Sequence, residues 1–384
     1  MPTPIRSQHL STIEVAYFAP ICDGDDRYLG ARDPFYRSSY RNASQIALRA
    51  DELGYRNMLL PSSYQVGQDT LTFAAALAPQ LRQMNLLTAI RCGEVHPPML
   101  ARALATLDHM LLGKLTVNII SSDLPGTKVD SAIRYAKSRE VIEILKQCWT
   151  RDHLNFQGEF YQLDLPTAPV KPYQQNGGPL LYFGGYSPAG VNLCAEHCDV
   201  YLMWPETQSR IAELMQNMGE AAGAKFSRTV DFGLRVHVIV RETEREALDA
   251  TKTLMSHLEP ERGEEIRNRA LDARSYGVSR QTEMRNAADK DGFVEDHLWT
   301  GIGRARSGCG AAIVGDPDQV YAKLMAYREM GIRSFILSGY PHLEECELFG
   351  RYVLPRIEAC ALNVEQGRVP KAAPPTPLGS GDRT

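Results

Sequence analysis

Along the chain, short apolar runs alternate with longer stretches in which apolar positions recur at helical spacing. The runs Glu14–Ala19, Asn57–Leu60, Leu86–Ile90, Leu115–Ile120, Leu180–Phe183, Val200–Met203, Phe232–Val240 and Ser334–Leu337 read as strands. Near-continuous apolar runs are what parallel strands covered on both faces need. Helical periodicity fills the gaps: Asn42–Leu53, Leu71–Ala78, Met99–Met110, Ser131–Trp149, Pro188–His197, Ser209–Ala222, Glu244–His257 and Asp318–Met330, with a last helix near Leu343–Ala361. Eight such alternations predict an α/β protein whose residues 1–366 form one (β/α)8 barrel, rather than two nucleotide-binding halves.

Three stretches break the alternation. Asn155–Leu163 reads as a hairpin turning at Gln157–Gly158, inserted after the fourth helix. Residues 259–307 are polar and rich in Arg, Asp and Gly. A connection of that length is usually functional, and the expectation is a mobile lid over the active site. Residues 367–384 are Pro-rich and poor in core-forming side chains, so a flexible tail is expected there.

Composition narrows the function. With 43% hydrophobic residues in 384 there is ample material for a large core, and a net charge of −4 gives no global attraction to nucleic acid or to an anionic membrane. No run approaches the ~18 apolar residues of a membrane span, and the first residues lack a signal-peptide core, so a cytoplasmic location is expected. The eight cysteines are scattered, without the paired spacing of a zinc ribbon. Cys194, His197 and Cys198 share one helical turn but lack a fourth ligand; packing is the expected role, and no metal site is assigned.

Chemistry in a barrel belongs at the carboxyl ends of the strands. That filter selects Asn118, Ser121, Ser122 and Asp123 after the fourth strand, Gly184, Gly185, Tyr186 and Ser187 after the fifth, and Trp204 after the sixth. It also selects Arg235 and His237 within the seventh strand, and Ser338, Gly339, Tyr340 and His342 after the eighth. The run LLYFGGYSPAG offers free amides at a helix start, a suitable place for a cofactor phosphate. GIGRARSGCG resembles a dinucleotide fingerprint but does not follow a strand, so that reading fails. The seventh strand alternates, with Arg235, His237 and Ile239 on one face and valines on the other. Together with Arg306 at the end of the lid they make a cationic pocket, which implies an anionic ligand: carboxylate, phosphate or sulfonate.

The blocks RVHVIVRET around His237, HLWTGIGRARSGCGAAIVGDP around Arg306 and SFILSGYPHLEE around Tyr340 and His342, with PLLYFGG and YLMW, resemble the alkanesulfonate monooxygenase group of the bacterial-luciferase-like flavin monooxygenases. The resemblance spans about residues 17–361. It implies that reduced FMN, supplied by a separate NAD(P)H-dependent flavin reductase, reacts with O2 at the barrel mouth, and that a small organosulfonate is cleaved to sulfite and an aldehyde. It implies that Tyr135, Gly185, Tyr186 and Ser187 hold the FMN phosphate, with Asn118 and Ser121 beside the cofactor. Trp204, Arg235, His237, Arg306, Tyr340 and His342 would line the sulfonate pocket, with Arg235, His237, Arg306 and Tyr340 as catalytic residues. A homodimer or homotetramer is expected on the same ground, and the C-terminal segment could reach a neighbouring subunit.

The departures bear on the substrate. Members acting on simple alkanesulfonates carry a Cys after the second strand in a GRSCED-like run, where this chain has SSYQVGQD with Gly67; the HSERY-like start of the fourth helix reads SAIRY here. These changes imply a reshaped far end of the pocket, and a sulfosugar such as sulfoquinovose is the leading expectation over a short alkanesulfonate. Alternatives are a luciferase-like oxygenase of sulfones or amine polycarboxylates, a deazaflavin-dependent reductase, and a non-catalytic flavin- or anion-binding barrel.

Overall fold

Eight parallel strands close on themselves: β1 (Glu14–Phe18), β2 (Asn57–Leu60), β3 (Asn85–Arg91), β4 (Leu115–Ile120), β5 (Leu180–Phe183), β6 (Val200–Met203), β7 (Asp231–Val240) and β8 (Ile332–Ser338). The ring is completed where β8 pairs with β1, matching Ser334 to Glu14 and Leu337 to Tyr17. The computed structural model describes residues 3–22, 24–64, 67–268 and 276–375. Helices α1 (Tyr40–Leu53), α2 (Thr70–Leu77), α3 (Pro97–Met110), α4 (Ser131–Thr150), α5 (Pro188–His197), α6 (Gln208–Phe226), α7 (Glu244–Met255) and the later helix Pro317–Met330 cover the outside. The expected (β/α)8 barrel is therefore present, and all eight strand readings hold to within two residues.

Caps decide where helices start. Ser39, Asp69, Asp130, Ser187, Thr207 and Thr243 each accept an amide of the following turn, which satisfies donors that have no partner inside the helix. The strands bury both faces. One face joins the shell packed under the helices, and the other, from Ala16, Phe18, Leu59, Leu87, Tyr182, Leu202 and Ile336, fills the barrel.

The floor of the barrel is sealed by the end of the chain. Leu362 is fully buried among the interior residues, and Asn363 bonds to Asn85, Gln174 and the carbonyl of Gly113. Arg368 donates to Gly178 and to the carboxylate of Asp199. Burial pushes the Asp199 carboxyl up, yet Arg368 and Arg6 together hold it below its ordinary value. The first residues of the expected flexible tail, Arg368 among them, are therefore docked on the barrel, and residues 376–384 lie outside the described residues.

The stretch 259–307 is not an extended loop. It contains helices α8 (Pro260–Asn268) and α9 (Tyr276–Asn286), and an antiparallel pair, Phe293–Glu295 with Leu298–Trp299. A strand absent from the sequence reading, Ala312–Gly315, then pairs parallel with the upper half of β7. The hairpin after α4 is present as His153–Gln157 with Gln162–Pro166.

Shortening the chain should separate floor from tail. A protein ending at Ala373 should keep its urea denaturation midpoint. One ending at Gln366 loses one of the arginine partners of a buried carboxylate and should be less stable by about 3 kcal/mol; equal midpoints would show that Arg368 contributes nothing.

Candidate active site

Strand β7 carries Arg235 and His237 into the barrel mouth because strand alternation leaves no other face for them once Val236, Val238 and Val240 join the outer core. Neighbouring strands set their height. Arg235 lies level with Ile336, and His237 with Ser338 on one side and Ala312 on the other. The pairing of Ala312–Gly315 with β7 therefore brings the preceding residues, Arg306 among them, over the same opening. Cys309 reinforces this link by donating its thiol to the Arg235 carbonyl at 3.4 Å.

The guanidinium of Arg235 is 7% exposed and stacks on Phe18, 4.1 Å from the ring centroid, with Arg306 at 5.6 Å from the same ring. No carboxylate pairs with Arg235 among the described residues, and its Nε and Nη2 are buried without a hydrogen-bond partner. Arg306 donates to the Tyr340 hydroxyl. The Tyr340 ring stacks on His237 at 5.4 Å and meets His342 edge-on at 5.1 Å. Five of the residues expected to bind the anion thus meet in one place, and an ion-paired structural role for Arg235 is excluded among the described residues.

Both histidines are held neutral. Burial, then the charge of Arg235, depresses His237 to about 3; burial together with His237, Arg306 and Arg235 pushes His342 well below its ordinary value. Ser338 Oγ lies 2.9 Å from His237 Nδ1 and so determines which nitrogen faces the pocket. His342 is placed from the outside: its amide donates to Asp25 at 2.7 Å, and its carbonyl accepts from Tyr17 at 2.8 Å. Arginine donors beside neutral imidazoles suit an oxyanion and disfavour a second cation.

Across the mouth, Ser187 caps α5 and its hydroxyl lies 3.3 Å from the Tyr135 hydroxyl. Gly184 and Gly185 have no room for a side chain, since a Cβ would stand 2.9 Å from the Leu202 carbonyl and 2.8 Å from the Phe183 ring, respectively. No described backbone bond uses the amides of Gly185, Tyr186 or Ser187, so the turn and the start of α5 form a cradle that fits a phosphate. The Tyr186 hydroxyl accepts from the Trp204 amide at 2.5 Å. Trp204 joins the two halves of the mouth, packing on Tyr186 and against Gly277 of α9 and Gly308 beyond Arg306. Asn118 is level with Tyr182 and shares its inward face, whereas Ser121 is bonded to Ser138 of α4 at 2.9 Å.

Sequence reading missed Phe18, Cys22, Asp25 and Arg91. The strand-end filter applied to β1 and β3 would have found Phe18 and Arg91. Arg91 is buried and donates to the Asp123 carbonyl at 3.1 Å. Burial pushes the Cys22 thiol up to about 11 despite the nearby positive charges of Arg306, Arg235 and Arg91. Gly67 is no simple gap. Its φ of +97 and the 1.8 Å between a Cβ there and the Ile21 carbonyl make it the contact through which the β2 loop lies on the β1 loop.

A histidine that is neutral when folded, at about 3, but free to protonate near 6.5 when unfolded lowers stability as the pH falls below 6.5. Its neutral form carries no such cost above that value. His237→Asn should therefore remove part of the acid sensitivity, and between pH 7 and pH 5 wild type should lose about 2 kcal/mol more than the variant in urea unfolding. Parallel losses would mean that His237 titrates normally.

Residues 13–334 match the family described as luciferase-like monooxygenase. The chain is 57% identical over 381 residues, 99% of both chains, to the sulfoquinovose monooxygenase of Agrobacterium fabrum. It is 51% identical over 358 residues, 91% of this chain and 98% of the relative, to that of Novosphingobium aromaticivorans. Its fold is similar to long-chain alkane monooxygenase LadA, at TM-score 0.72 and 17% identity over 96% of this chain and 94% of that one. DmoA from Hyphomicrobium sulfonivorans gives TM-score 0.71 and 16% identity over 96% and 91%. The chain belongs to the luciferase-like monooxygenase family.

Proposed function

We propose that this protein uses reduced FMN and O2 to cleave the carbon–sulfur bond of sulfoquinovose, releasing sulfite and the corresponding aldehyde. The observation that carries the reading is a buried guanidinium, Arg235, with free donors and no carboxylate, in a chain 57% identical to an enzyme of that name. The overall reaction balances as R–CH2–SO3⁻ + FMNH2 + O2 giving R–CHO + HSO3⁻ + FMN + H2O. The C–S bond breaks, one oxygen atom ends in the aldehyde and the other in water.

When bound in reduced form, FMN supplies the two electrons that activate O2. The amides of Gly185, Tyr186 and Ser187 and the hydroxyl of Tyr135 would hold its phosphate at the start of α5. Arg235 takes the sulfonate, for which its planar donor fork is suited. Arg306, through its bond to the Tyr340 hydroxyl, fixes the second side of the clamp. His237, in the neutral tautomer whose Nδ1–H donates to Ser338 Oγ, would present Nε2 to accept the proton lost from the carbon that becomes the aldehyde. Stacking of Tyr340 on His237, and of Phe18 under Arg235, excludes water from the charged groups and strengthens their hold on an anion. FMN reduction is assigned to a separate NAD(P)H-dependent flavin reductase, since the described strands and helices are taken up by one barrel and its insertions.

With a flavin reductase, NADPH, FMN and air, purified protein should release sulfite from sulfoquinovose faster than from linear alkanesulfonates, and release none without the reductase. Preference for an alkanesulfonate, or oxidation of a sulfone or an amine polycarboxylate instead, would overturn the substrate assignment. Arg235→Ala should lower kcat/KM by about 100-fold or more, the scale of a lost charge-assisted pair, with an unchanged circular dichroism spectrum. Wild-type kcat/KM in the folded variant would remove Arg235 from the clamp.

A further inference from the structure

The opposite end of the barrel holds a second concentration of positive charge. A cavity of about 330 Å3 is lined by Arg6, Lys146, Asn176, Asp199, Arg228 and Arg368, among others. Arg6 precedes β1, Arg228 precedes β7, and Asp199 precedes β6, so the cavity opens at the amino ends of the strands, away from the catalytic mouth.

The charges there do not cancel. Asp199 Oδ1 receives Arg6 at 2.5 Å and Arg368 at 3.2 Å, with Arg228 at 3.8 Å. Lys146 caps the end of α5 through the His197 carbonyl at 2.6 Å, and Arg228 does so through the Ala195 and Cys198 carbonyls at 2.8 Å each. Among the lining residues, one carboxylate and a helix C-terminus, equivalent to about half a negative charge, stand against four cations; Glu143, within range of Lys146, and Asp231, within range of Arg6, offset part of that excess from outside the cavity. Lys146 keeps further ammonium donors after its single bond, and Arg6 keeps donors beyond its Nη1. Burial first, and then the neighbouring guanidiniums, pull both Lys146 and Arg368 below their ordinary values although Asp199 acts against this. At ~30 Å3 per water the cavity holds about ten water volumes, enough for a tetrahedral anion and its remaining hydration.

We propose that this basal cavity is a binding site for a small doubly charged oxyanion of the sulfate, sulfite or phosphate type. A metal site beside it is the competing reading. Glu143 and Glu196 carboxylate oxygens lie 3.4 and 3.7 Å from His197 Nε2, a spacing compatible with three corners of a tetrahedron. Arg139 already pairs with Glu196, however, and Lys146, Arg139 and Arg228 all oppose positive charge on His197. The same field that repels a metal ion attracts an oxyanion. An anion here would tie the segment before β1 and the one that carries Arg368 to α4 and the turn before β7, so occupancy stabilises the closed floor. The site is independent of the reaction assigned to the mouth.

Binding can be read without turnover. Sulfate, sulfite and phosphate would be titrated calorimetrically, and followed by thermal unfolding, against sodium chloride at matched ionic strength. The protein would be wild type, Arg235→Ala, Lys146→Gln and Arg6→Gln. The Arg235→Ala variant separates the basal site from the catalytic pocket, and Arg6→Gln alters a residue that caps no helix. Expected is saturable binding of at least one of the three oxyanions that persists in Arg235→Ala. It should be weakened about tenfold or more in Arg6→Gln and Lys146→Gln, with a Tm rise of about 3 °C at hundredfold excess over Kd. The tightest of the three identifies the source. A response no greater than that of chloride, one lost in Arg235→Ala, or one unchanged in folded Arg6→Gln and Lys146→Gln would overturn the proposal.

Discussion

A buried guanidinium is costly, by several kcal/mol after relaxation, unless donors and charge find partners. Arg235 is placed in the barrel mouth with a phenyl ring beneath it and no carboxylate among the described residues. A carboxylate would have made the position stable and useless, because a neutralised arginine has nothing left for an anion. The surrounding choices follow from this. Phe18 offers the face of a π system, worth about 2 kcal/mol to a desolvated cation, without cancelling the formal charge. Histidines rather than lysines fill the neighbouring positions, since an imidazole can remain neutral beside arginine.

The fold places the cost where the remaining structure can bear it. β7 is the longest barrel strand, with partners on both sides, and its upper half gains a further partner in Ala312–Gly315. Arg235 and His237 are thus carried on a strand held by pairing along its length. The floor treats charge differently. Glu14 receives Tyr182 and Ser334, and Asp231 receives Ser7 and Gln366, so the carboxylates there are satisfied and tie the chain's two ends together. The carboxylates of Glu14 and Asp231 at the amino ends are thus hydrogen-bonded, whereas the Arg235 guanidinium at the mouth keeps donors without partners.

The barrel was legible because strands buried on both faces leave mainly apolar runs, and the seventh strand stood out through two polar residues at alternate positions. Ala312–Gly315 was hidden by its shortness and by an unrelated-looking glycine-rich run before it. The α8 and α9 region was read as loop because its residues are charged on most faces, and helices held by ion pairs such as Arg262 with Glu265 and Arg280 with Glu283 show little apolar period. Arg368 was assigned to a tail because composition reports only that prolines follow it; its long-range partner Asp199 has no local signature.

In the proposed reading, specificity beyond the sulfonate would come from the loops around the mouth. The contact between Gly67 and the Ile21–Cys22 backbone shows how one of them is set. The Gln68 amide donates to the Ile21 carbonyl at 2.9 Å, and only a residue without a side chain at position 67, in a left-handed conformation, lets the two loops approach so closely. The loop after β2 then lies against the loop after β1 rather than projecting a side chain of its own at this point. The thiol near the arginines is instead supplied by Cys22, from the other loop. Gly67 after β2 and Cys22 after β1 are thus coupled through one backbone contact. Restoring a cysteine at position 67 would force the β2 loop away from β1 and move Cys22, instead of adding a thiol to an otherwise unchanged pocket.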